Sequence, residues 1–284
     1  MVTDDKDFPI AAGGNDSSMD VNGKSTGMDA SRDLALAFRG VRLSADPDCP
    51  LLDLELGHGE AGLVFHPSRQ AIGEIILIVS RLAIPLTGDV AWGPRASARS
   101  GGLWGNLIFN RGLGLVYRDM GLIHGRTVLE HLAIFLGYHQ DLRGAPMLAR
   151  SYRVLRDLGI HGRDWHEMRK VHSGRLPARL QRLGVYALAF VKEPWLYVLE
   201  SPAKDLGPDF PAVWDAVERD RAEKGAAVLV LDSEGDDAYP GVSFQVTRTL
   251  VAAADASPDR PNDRKASMAP VAGDASRTPG GDMA

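Results

Sequence analysis

The sequence predicts an α/β fold, in which helices flank a largely parallel sheet and an antiparallel sheet lies to one side. Short apolar segments typical of buried strands, at 61–65, 195–200 and 226–232, alternate with segments of helical periodicity. Two earlier segments, 34–43 and 51–56, alternate apolar and polar side chains, as half-buried antiparallel strands do. A chain of 284 residues that is 44% hydrophobic and 24% charged is long enough and apolar enough to build such a core.

The remaining elements follow from periodicity and from capping signals. After the strand at 61–65 we expect a loop at 66–71 and an apolar helix from about 72 to 82. Thr127, with Glu130 at the capping-box position, is a candidate N-cap for a later helix. Gly159 and Gly225 are candidate helix stops. The other predicted elements are strands at 88–92 and 114–118, helices at 146–159, 176–193 and 209–225, and a pair of strands within 242–252.

Composition separates a folded core from two polar tails. Residues 1–31 and 255–284 are rich in Asp, Gly and Ser or Pro and have little apolar periodicity. They cannot bury enough apolar surface to offset about 1–2 kcal/mol of backbone ordering entropy per residue. We therefore expect both tails to be disordered, with one domain at 32–254.

Charge and residue counts exclude several classes of protein. A net charge of −5 argues against nucleic acid as the main ligand. A single cysteine, Cys49, excludes an intrachain disulfide framework and a Cys-rich zinc site. There is no apolar run of about 18 residues, as a membrane helix needs, and the N-terminus lacks a signal pattern, so we expect a cytoplasmic protein.

The segment at 61–80 has the pattern of an anion site: a strand, a tight loop and the start of a helix, where free backbone N–H groups and the helix dipole point to one spot. Around it, five ordered segments resemble the ATP-binding subunits of ABC transporters. They are RLAIPLTGDV (81–90), GLVYRDMGLIHGRTVLEHLA (114–133), LPARLQRLGVYALAFVKEP (176–194), WLYVLESPAKDLGP (195–208) and AAVLVLDSE (226–234).

This resemblance implies a P-loop NTPase-like ABC nucleotide-binding domain with a helical subdomain at about 126–182. It also implies integral membrane permease subunits as partners, and either a homodimer or a heterodimer with an active ABC ATPase. The expected location is the inner face of the cytoplasmic membrane, as a peripheral protein.

The segment aligned with the family's phosphate-binding loop, GxxGxGKS, departs from it at every functional position. It reads His66, Pro67, Ser68, Arg69, Gln70, Ala71, Ile72, Gly73. Ile72 replaces the lysine that neutralises the phosphates, and Gly73 replaces the hydroxyl that holds magnesium. Arg69 and Ala71 replace glycines, and in a left-handed conformation each Cβ would cost about 1–2 kcal/mol. Glu74, expected in the first helical turn, would repel a phosphate at about 4 Å by on the order of 4 kcal/mol.

The other functional positions of the family are changed as well. Arg118 replaces the glutamine that senses the γ-phosphate, Glu200 the Walker B aspartate, Ser201 the catalytic glutamate and Ser233 the switch histidine. The signature segment LSGG reads Leu176, Pro177, Ala178, Arg179, which disrupts the amide nest that faces the partner's nucleotide. Phosphoryl transfer depends on positioning, metal and charge, so the changes together predict a pseudo-ATPase with no catalytic residue and no bound metal.

Two other functions stay open at this point. One is an ATPase that uses Arg69, Glu200 and Glu234 in altered roles, and the other is a stand-alone binding module. No cofactor is expected, although weak binding of ATP and magnesium, with Arg69 as the phosphate cation, is an alternative. The run TVLEHLAIFLGYHQDL (127–142) resembles the ATPases of bacterial lipid-asymmetry and mammalian-cell-entry transport, which favours a lipid-trafficking system.

Weaker patterns have two interpretations each. His161 and His166 are expected in a surface loop and not in a metal site. HSGR at 172–175 lacks the elbow motif of a Ser/His hydrolase and is an alternative, shifted signature segment. The insertion at 96–107 is either an exposed contact loop or a loop packed around one tryptophan. The arginines of 143–182 form either a solvated helical face or a contact with a membrane partner or anionic headgroups; they include Arg150, Arg153, Arg156, Arg163, Arg169, Arg175, Arg179 and Arg182.

Overall fold

A computed structural model describes residues 34–43, 50–93, 112–233 and 238–250. The predictions made for both tails, for Cys49, for the insertion at 96–107 and for Glu234 fall outside these residues.

Three strands form an antiparallel sheet in the order β2-β1-β4: β1 (Leu34–Arg42), β2 (Leu51–Gly57) and β4 (Thr87–Trp92). Strand β2 buries every second side chain, as its alternating sequence predicts. Strand β1 is interrupted at Gly40, which has a φ of +58° and whose N–H donates to Asp53 Oδ1 at 2.6 Å. This bulge lets one strand pair with neighbours on both sides in spite of a shift in register.

Five strands form a parallel sheet in the order β5-β6-β7-β3-β8. They are β3 (Ala61–Phe65), β5 (Leu113–Val116), β6 (Leu196–Glu200), β7 (Ala227–Asp232) and β8 (Val246–Thr249). Every strand pair in this sheet is parallel, so the carboxyl ends of β3, β5, β6 and β7 lie along one edge.

Both faces of the parallel sheet are covered, which explains its nearly continuous apolar strands. In β6, Leu196 and Val198 pack into a core shared with the antiparallel sheet and the first helix, whereas Tyr197 and Leu199 pack into a second core formed with the other helices. A strand with two buried faces has no polar alternation, and this is the pattern that predicts β6 and β7.

Seven helices and two short 3₁₀ helices complete the described part of the chain. The helices are α1 (Arg69–Val79), α2 (Val128–Gln140), α3 (Gly144–Asp157), α4 (Gly162–Lys170), α5 (Ala178–Phe190), α6 (Pro202–Leu206) and α7 (Phe210–Lys224). The 3₁₀ helices are Ser173–Arg175 and Gly207–Asp209. No helix among the described residues is both long enough and apolar enough to cross a membrane.

The predicted helix boundaries are set by local hydrogen bonds. Thr127 caps α2 with a complete capping box: Glu130 N–H donates to Thr127 Oγ1 at 3.1 Å, and Thr127 N–H donates to Glu130 Oε2 at 2.7 Å. Gly159 and Gly225 follow α3 and α7 with φ of +78° and +65°, a conformation that favours glycine. These three predictions are confirmed.

Three predicted elements differ from the structure. Helix α1 begins at Arg69, three residues before the predicted start, and ends at Val79. The segment around His161 and His166 is not a loop. It forms α4, because Met168 is fully buried and the ring of Trp165 contacts that of Tyr152 edge to face. The C-terminal pair of strands is a single edge strand, β8, which pairs with β3.

Candidate functional site

The residues aligned with the family's functional positions meet at the carboxyl edge of the parallel sheet. His66 follows β3 and Arg118 lies just after β5. Glu200 ends β6, Ser201 follows it, and Ser233 follows β7. In open α/β sheets this edge is where ligands bind, so the sequence places its candidate site at a chemically sensible position.

The segment aligned with the phosphate-binding loop is mostly helical. Only His66, Pro67 and Ser68 lie between β3 and α1, and the five aligned residues from Arg69 to Gly73 belong to the helix. None of residues 66–73 has a positive φ. Arg, Gln and Ala are good helix formers, whereas glycines at these positions would favour a loop, so the predicted loop at 66–71 is shorter than expected. The expected left-handed strain at Arg69 and Ala71 is therefore absent.

His66 closes the short turn from inside. Its side chain is buried, its N–H donates to the carbonyl of Asp232 at 2.9 Å, and its Nδ1 accepts the N–H of Ser68 at 2.9 Å. Because Nδ1 accepts, the neutral ring carries its proton on Nε2. Burial lowers the pKa of His66, which keeps the ring neutral. The turn is thus held by hydrogen bonds within the chain.

Ile72 and Gly73, which align with the family's lysine and magnesium-binding hydroxyl residue, do not lie in an open loop. Ile72 is 1% exposed and packs in the core with Ile75 and Val79, so even a lysine at this position would begin inside the core. Glu74 lies in the second turn of α1, not in the first as expected, and its Oε1 accepts from Gln70 Nε2 at 3.4 Å. Ser68, the N-cap residue, makes no side-chain capping hydrogen bond.

Glu200, at the Walker B position, is bound by the chain itself. The backbone N–H of Arg118 donates to Glu200 Oε2 at 2.8 Å, and Arg118 Nε lies 4.0 Å from Oε1. A cavity of about 330 Å³ opens beside this pair and is lined by Arg118, Glu200, Ser201, Lys204 and Asp205. The cavity contains as many basic as acidic side chains, which does not favour a highly charged anion.

Ser201, which aligns with the family's catalytic glutamate, has a side chain that is a poor base. It is buried, has a φ of +43°, and its Oγ donates to Asp232 Oδ1 at 3.1 Å. Asp232 also accepts the N–H of Ser233 at 2.6 Å and the hydroxyl of Tyr239. Asp232 was missed by the sequence analysis, and the signal that could have found it is a carboxylate that ends a fully apolar strand.

The signature segment is closed by intramolecular ion pairs. Leu176 is buried, Pro177 is the N-cap residue of α5, and Ala178 is its first residue. Arg179 donates twice to Asp209 and once to Asp164, each at 2.7 Å. These two carboxylates raise the pKa of Arg179 still further, and each of its three guanidinium nitrogens donates to a carboxylate of its own chain.

The alternative signature segment at 172–175 is held in the same way. Ser173 is buried, its Oγ donates to the carbonyl of Ile123 at 2.8 Å, and its N–H donates to the carbonyl of Arg126 at 2.8 Å. The hydroxyl is thus used in packing the 3₁₀ turn. Among the described residues, no group of three or more His, Cys, Asp and Glu side chains could hold a metal ion.

The residues present do not fit a magnesium–triphosphate complex held as in a phosphate-binding loop. Such a complex needs a loop of free amides, a lysine and a hydroxyl, and here five of the eight aligned loop residues are helical, the lysine position is in the core and Gly73 has no side-chain oxygen. Arg69, at the start of α1, is exposed and is the nearest cation in sequence to the N-terminus of the helix.

A second, larger cleft of about 600 Å³ runs along α1 and across β5. Its wall is apolar, with Ile76, Leu77, Leu82 and Leu115, and Leu82 is 76% exposed. Five charged side chains also line the cleft: Arg69, Glu74, Arg118, Asp119 and Glu200. An exposed apolar wall beside the candidate site is typical of an interaction surface.

Comparisons with solved structures agree with this architecture. The chain is similar to cbiO1 from Clostridium perfringens, part of the ABC transporter complex cbiONQ, with 14% identity, 71% of this chain and 79% of that chain covered, and a TM-score of 0.56. It is similar to the bacterial ABC transporter cassette MJ0796, solved as a dimer, with 17% identity, 70% and 88% coverage, and a TM-score of 0.57.

A third neighbour is a nucleotide-free ATP-binding cassette from an ABC transporter, with 15% identity, 77% of this chain and 90% of that chain covered, and a TM-score of 0.56. No family model and no curated protein sequence matches the chain. Identities this low show the fold alone, and the predicted fold class is confirmed: the chain has the fold of the ATP-binding cassettes of ABC transporters.

Proposed function

We propose that this chain is a degenerate ATP-binding subunit of an ABC transporter, a pseudo-ATPase that binds membrane subunits as a structural or regulatory partner. The observation that carries the proposal is the course of α1, which is helical from Arg69 and converts the aligned phosphate-binding loop into a helix. A phosphate-binding loop surrounds the phosphates with free backbone amides, whereas a helix offers only the amides of its first turn, and here the Ile72 N–H already donates to the carbonyl of Ser68 at 3.3 Å.

The neighbouring positions support the same function. Glu200 accepts a hydrogen bond from Arg118, Ser201 donates to Asp232, and Arg179 is bound by Asp164 and Asp209. These three side chains, at positions aligned with groups that contact nucleotide, metal or water in an active cassette, therefore have partners within this chain. Since phosphoryl transfer is catalysed by positioning and electrostatic stabilisation, removing all of these together removes most of the rate enhancement.

The proposed partners are integral membrane permease subunits, and the cleft along α1 is the proposed contact. An amphipathic helix binds a groove by placing side chains at i, i+3, i+4 and i+7 against an apolar wall. Leu77 and Leu82 offer such a wall, with 44% and 76% of their surface exposed. The resemblance of residues 127–142 supports a lipid-trafficking system as the transporter and a peripheral location on the inner face of the membrane.

Titration of the purified full-length chain with ATP and magnesium tests the pseudo-ATPase proposal. We expect no saturable binding below about 1 mM and no release of phosphate above the background of a Glu200→Ala variant. The matched control is Glu55→Ala, which removes an exposed carboxylate on the antiparallel sheet. Saturable binding at lower concentration, together with phosphate release that Glu200→Ala abolishes and Glu55→Ala does not, would contradict the proposal.

Copurification with a detergent-solubilised permease subunit encoded in the same operon tests the proposed contact. The variants Leu77→Asp and Leu82→Asp should abolish copurification, because they place a charge on the apolar wall. Leu51→Asp is the control, since Leu51 is similarly exposed (45%) but lies on β2. Equal loss in all three variants, or in none, would assign the contact to another surface.

A further inference from the structure

The segment 143–182 has a charge opposite to that of the whole chain. It contains ten Arg and Lys residues against three Asp and Glu residues, a net charge of +7, whereas the chain as a whole has a net charge of −5. The segment includes α3, α4 and the start of α5, and all of it lies within the described residues. Such an asymmetry produces a local positive potential in an otherwise acidic protein.

About half of these basic side chains are engaged within the protein. Arg150 contacts Glu193 at 2.5 Å, Arg163 contacts Glu167 at 2.8 Å, and Arg179 and Arg182 are bound by carboxylates next to the candidate site. Arg143 and Arg156 also have ion pairs, with Asp141 and Asp157. The remaining four are exposed and have no ion pair among the described residues: Arg153, Arg169, Lys170 and Arg175. These four are the charges available to an external anion.

Exposed apolar and aromatic side chains lie among these free charges. In α3, Leu148 and Tyr152 are one turn apart and are 46% and 44% exposed. The ring of Tyr152 contacts that of Trp165 in α4 edge to face, with centroids 5.1 Å apart, and Arg169 lies one turn after Trp165. We call Leu148, Tyr152, Arg153, Trp165 and Arg169 the basic aromatic face; Arg153 follows Tyr152 directly and lies about 100° further around α3, towards its solvent side.

We propose that the basic aromatic face binds a phospholipid bilayer that contains anionic headgroups. Arginine donates to phosphate oxygens, and Tyr and Trp are enriched where headgroups meet acyl chains because one end of each ring is apolar and the other polar. Leu148 would supply the apolar contact that a purely electrostatic site lacks. This proposal does not depend on the absence of ATP hydrolysis.

The ring geometry of this face and the charge of the rest of the chain favour a bilayer over a nucleic acid as the ligand. Tyr152 and Trp165 pack against each other at an interplanar angle of 78°, so they do not present parallel faces on which successive bases could stack. The remainder of the chain is acidic, which opposes a polyanion that follows the surface but allows one face to lie on a flat membrane.

Vesicle flotation of the full-length chain tests this inference. Phosphatidylcholine vesicles with about 30% phosphatidylglycerol should carry the protein, pure phosphatidylcholine vesicles should not, and binding should fall as NaCl is raised from about 50 to about 300 mM. Arg153→Ala combined with Arg169→Ala should lower the partition coefficient about 25-fold, because each basic side chain near an anionic surface contributes about fivefold.

Two further variants separate the face from net charge and from folding. Arg39→Ala combined with Arg248→Ala removes the same charge from exposed positions elsewhere and should leave flotation unchanged. Arg153→Lys combined with Arg169→Lys should retain most of the binding. The proposal is overturned by equal flotation with neutral vesicles, by no flotation with anionic ones, or by equal loss in the two alanine pairs. A labelled single-stranded RNA that binds through the same two arginines while anionic vesicles do not would also overturn it.

Discussion

Asp232 is expected to be one of the most important single side chains for the stability of the candidate site. It is 1% exposed and accepts hydrogen bonds from Ser201 Oγ, the N–H of Ser233 and the hydroxyl of Tyr239. The change Asp232→Ala leaves these donors without their acceptor. Ser201 and Tyr239 are buried, and each buried donor without an acceptor costs about 1–3 kcal/mol.

The expected loss in the free energy of unfolding for Asp232→Ala is about 3–5 kcal/mol, since the relief of burying a carboxylate offsets only part of the lost hydrogen bonds. Asp232→Asn should cost less, about 1–2 kcal/mol, because the amide oxygen still accepts and its NH₂ group can donate to the hydroxyl oxygen of Tyr239. Asp215→Ala, the same change at an exposed position of α7, should cost less than about 0.5 kcal/mol.

Urea denaturation followed by far-UV circular dichroism and tryptophan fluorescence measures all three variants. The informative result is the difference between Ala and Asn at residue 232, which isolates the loss of the acceptor from the loss of the charge. If Asp232→Ala unfolds within about 1 kcal/mol of the unchanged protein, the network contributes little and the reasoning from its hydrogen bonds is refuted.

Three other perturbations give independent readouts. Burial lowers the pKa of Lys192 from 10.5 to about 8, so between these pH values the unfolded chain binds more protons than the folded protein. The free energy of unfolding should therefore rise as the pH is raised from about 8 to about 10.5, by at most about 3 kcal/mol. Lys192→Met should remove this rise and stabilise the protein at neutral pH, as urea titrations at several pH values would show. Arg182→Ala removes an ion pair with Asp205 and two hydrogen bonds to backbone carbonyls, at 3.0 and 3.1 Å, so it should lower the free energy of unfolding by about 3 kcal/mol and raise amide exchange at 117–120. Arg163→Ala, which removes an ion pair of a highly exposed arginine, should lower it by less than about 0.5 kcal/mol. Equal losses in the two variants would contradict this prediction. Ile72→Lys should not create ATP binding and should lower the unfolding midpoint, because the ammonium would start from a core position that is 1% exposed; saturable ATP binding by this variant would show that α1 can unwind into a loop.

The sequence predicts the sheets well because their signals are local. The alternation in β2 and the two-sided burial of β6 are each visible in five to seven residues, and the capping box of α2 needs only Thr127 and Glu130. The strand order was not predicted from the sequence and comes from the structure.

The start of α1 could not be predicted from the alignment. An alignment places Arg69–Gly73 under a loop, but whether those residues are helical depends on their intrinsic preferences and on the burial of Ile72, which belongs to the tertiary structure. The surface loop predicted around His161 and His166 was wrong for a related reason: the segment is a helix because Met168 and Trp165 pack into the core, and this packing belongs to the tertiary structure.

The hydrogen-bond partners of Glu200 and Arg179 could not be predicted from the sequence either. Asp209 lies 30 residues from Arg179, and the N–H that contacts Glu200 is 82 residues away in Arg118. A single sequence gives no measure of such distances in space. The sequence shows only that these positions carry residue types that differ from those of the family. The structure shows which groups of the chain bind them.

The left-handed backbone of Ser201 limits which side chains position 201 can carry. A glutamate placed there would start from a φ of +43°, beside Asp232, whose Oδ1 lies 3.1 Å from the serine oxygen. Like charges this close disfavour each other's ionised form, so the new carboxylate would be a general base only if Asp232 were replaced as well. The serine is therefore the smaller and uncharged choice that this network accommodates.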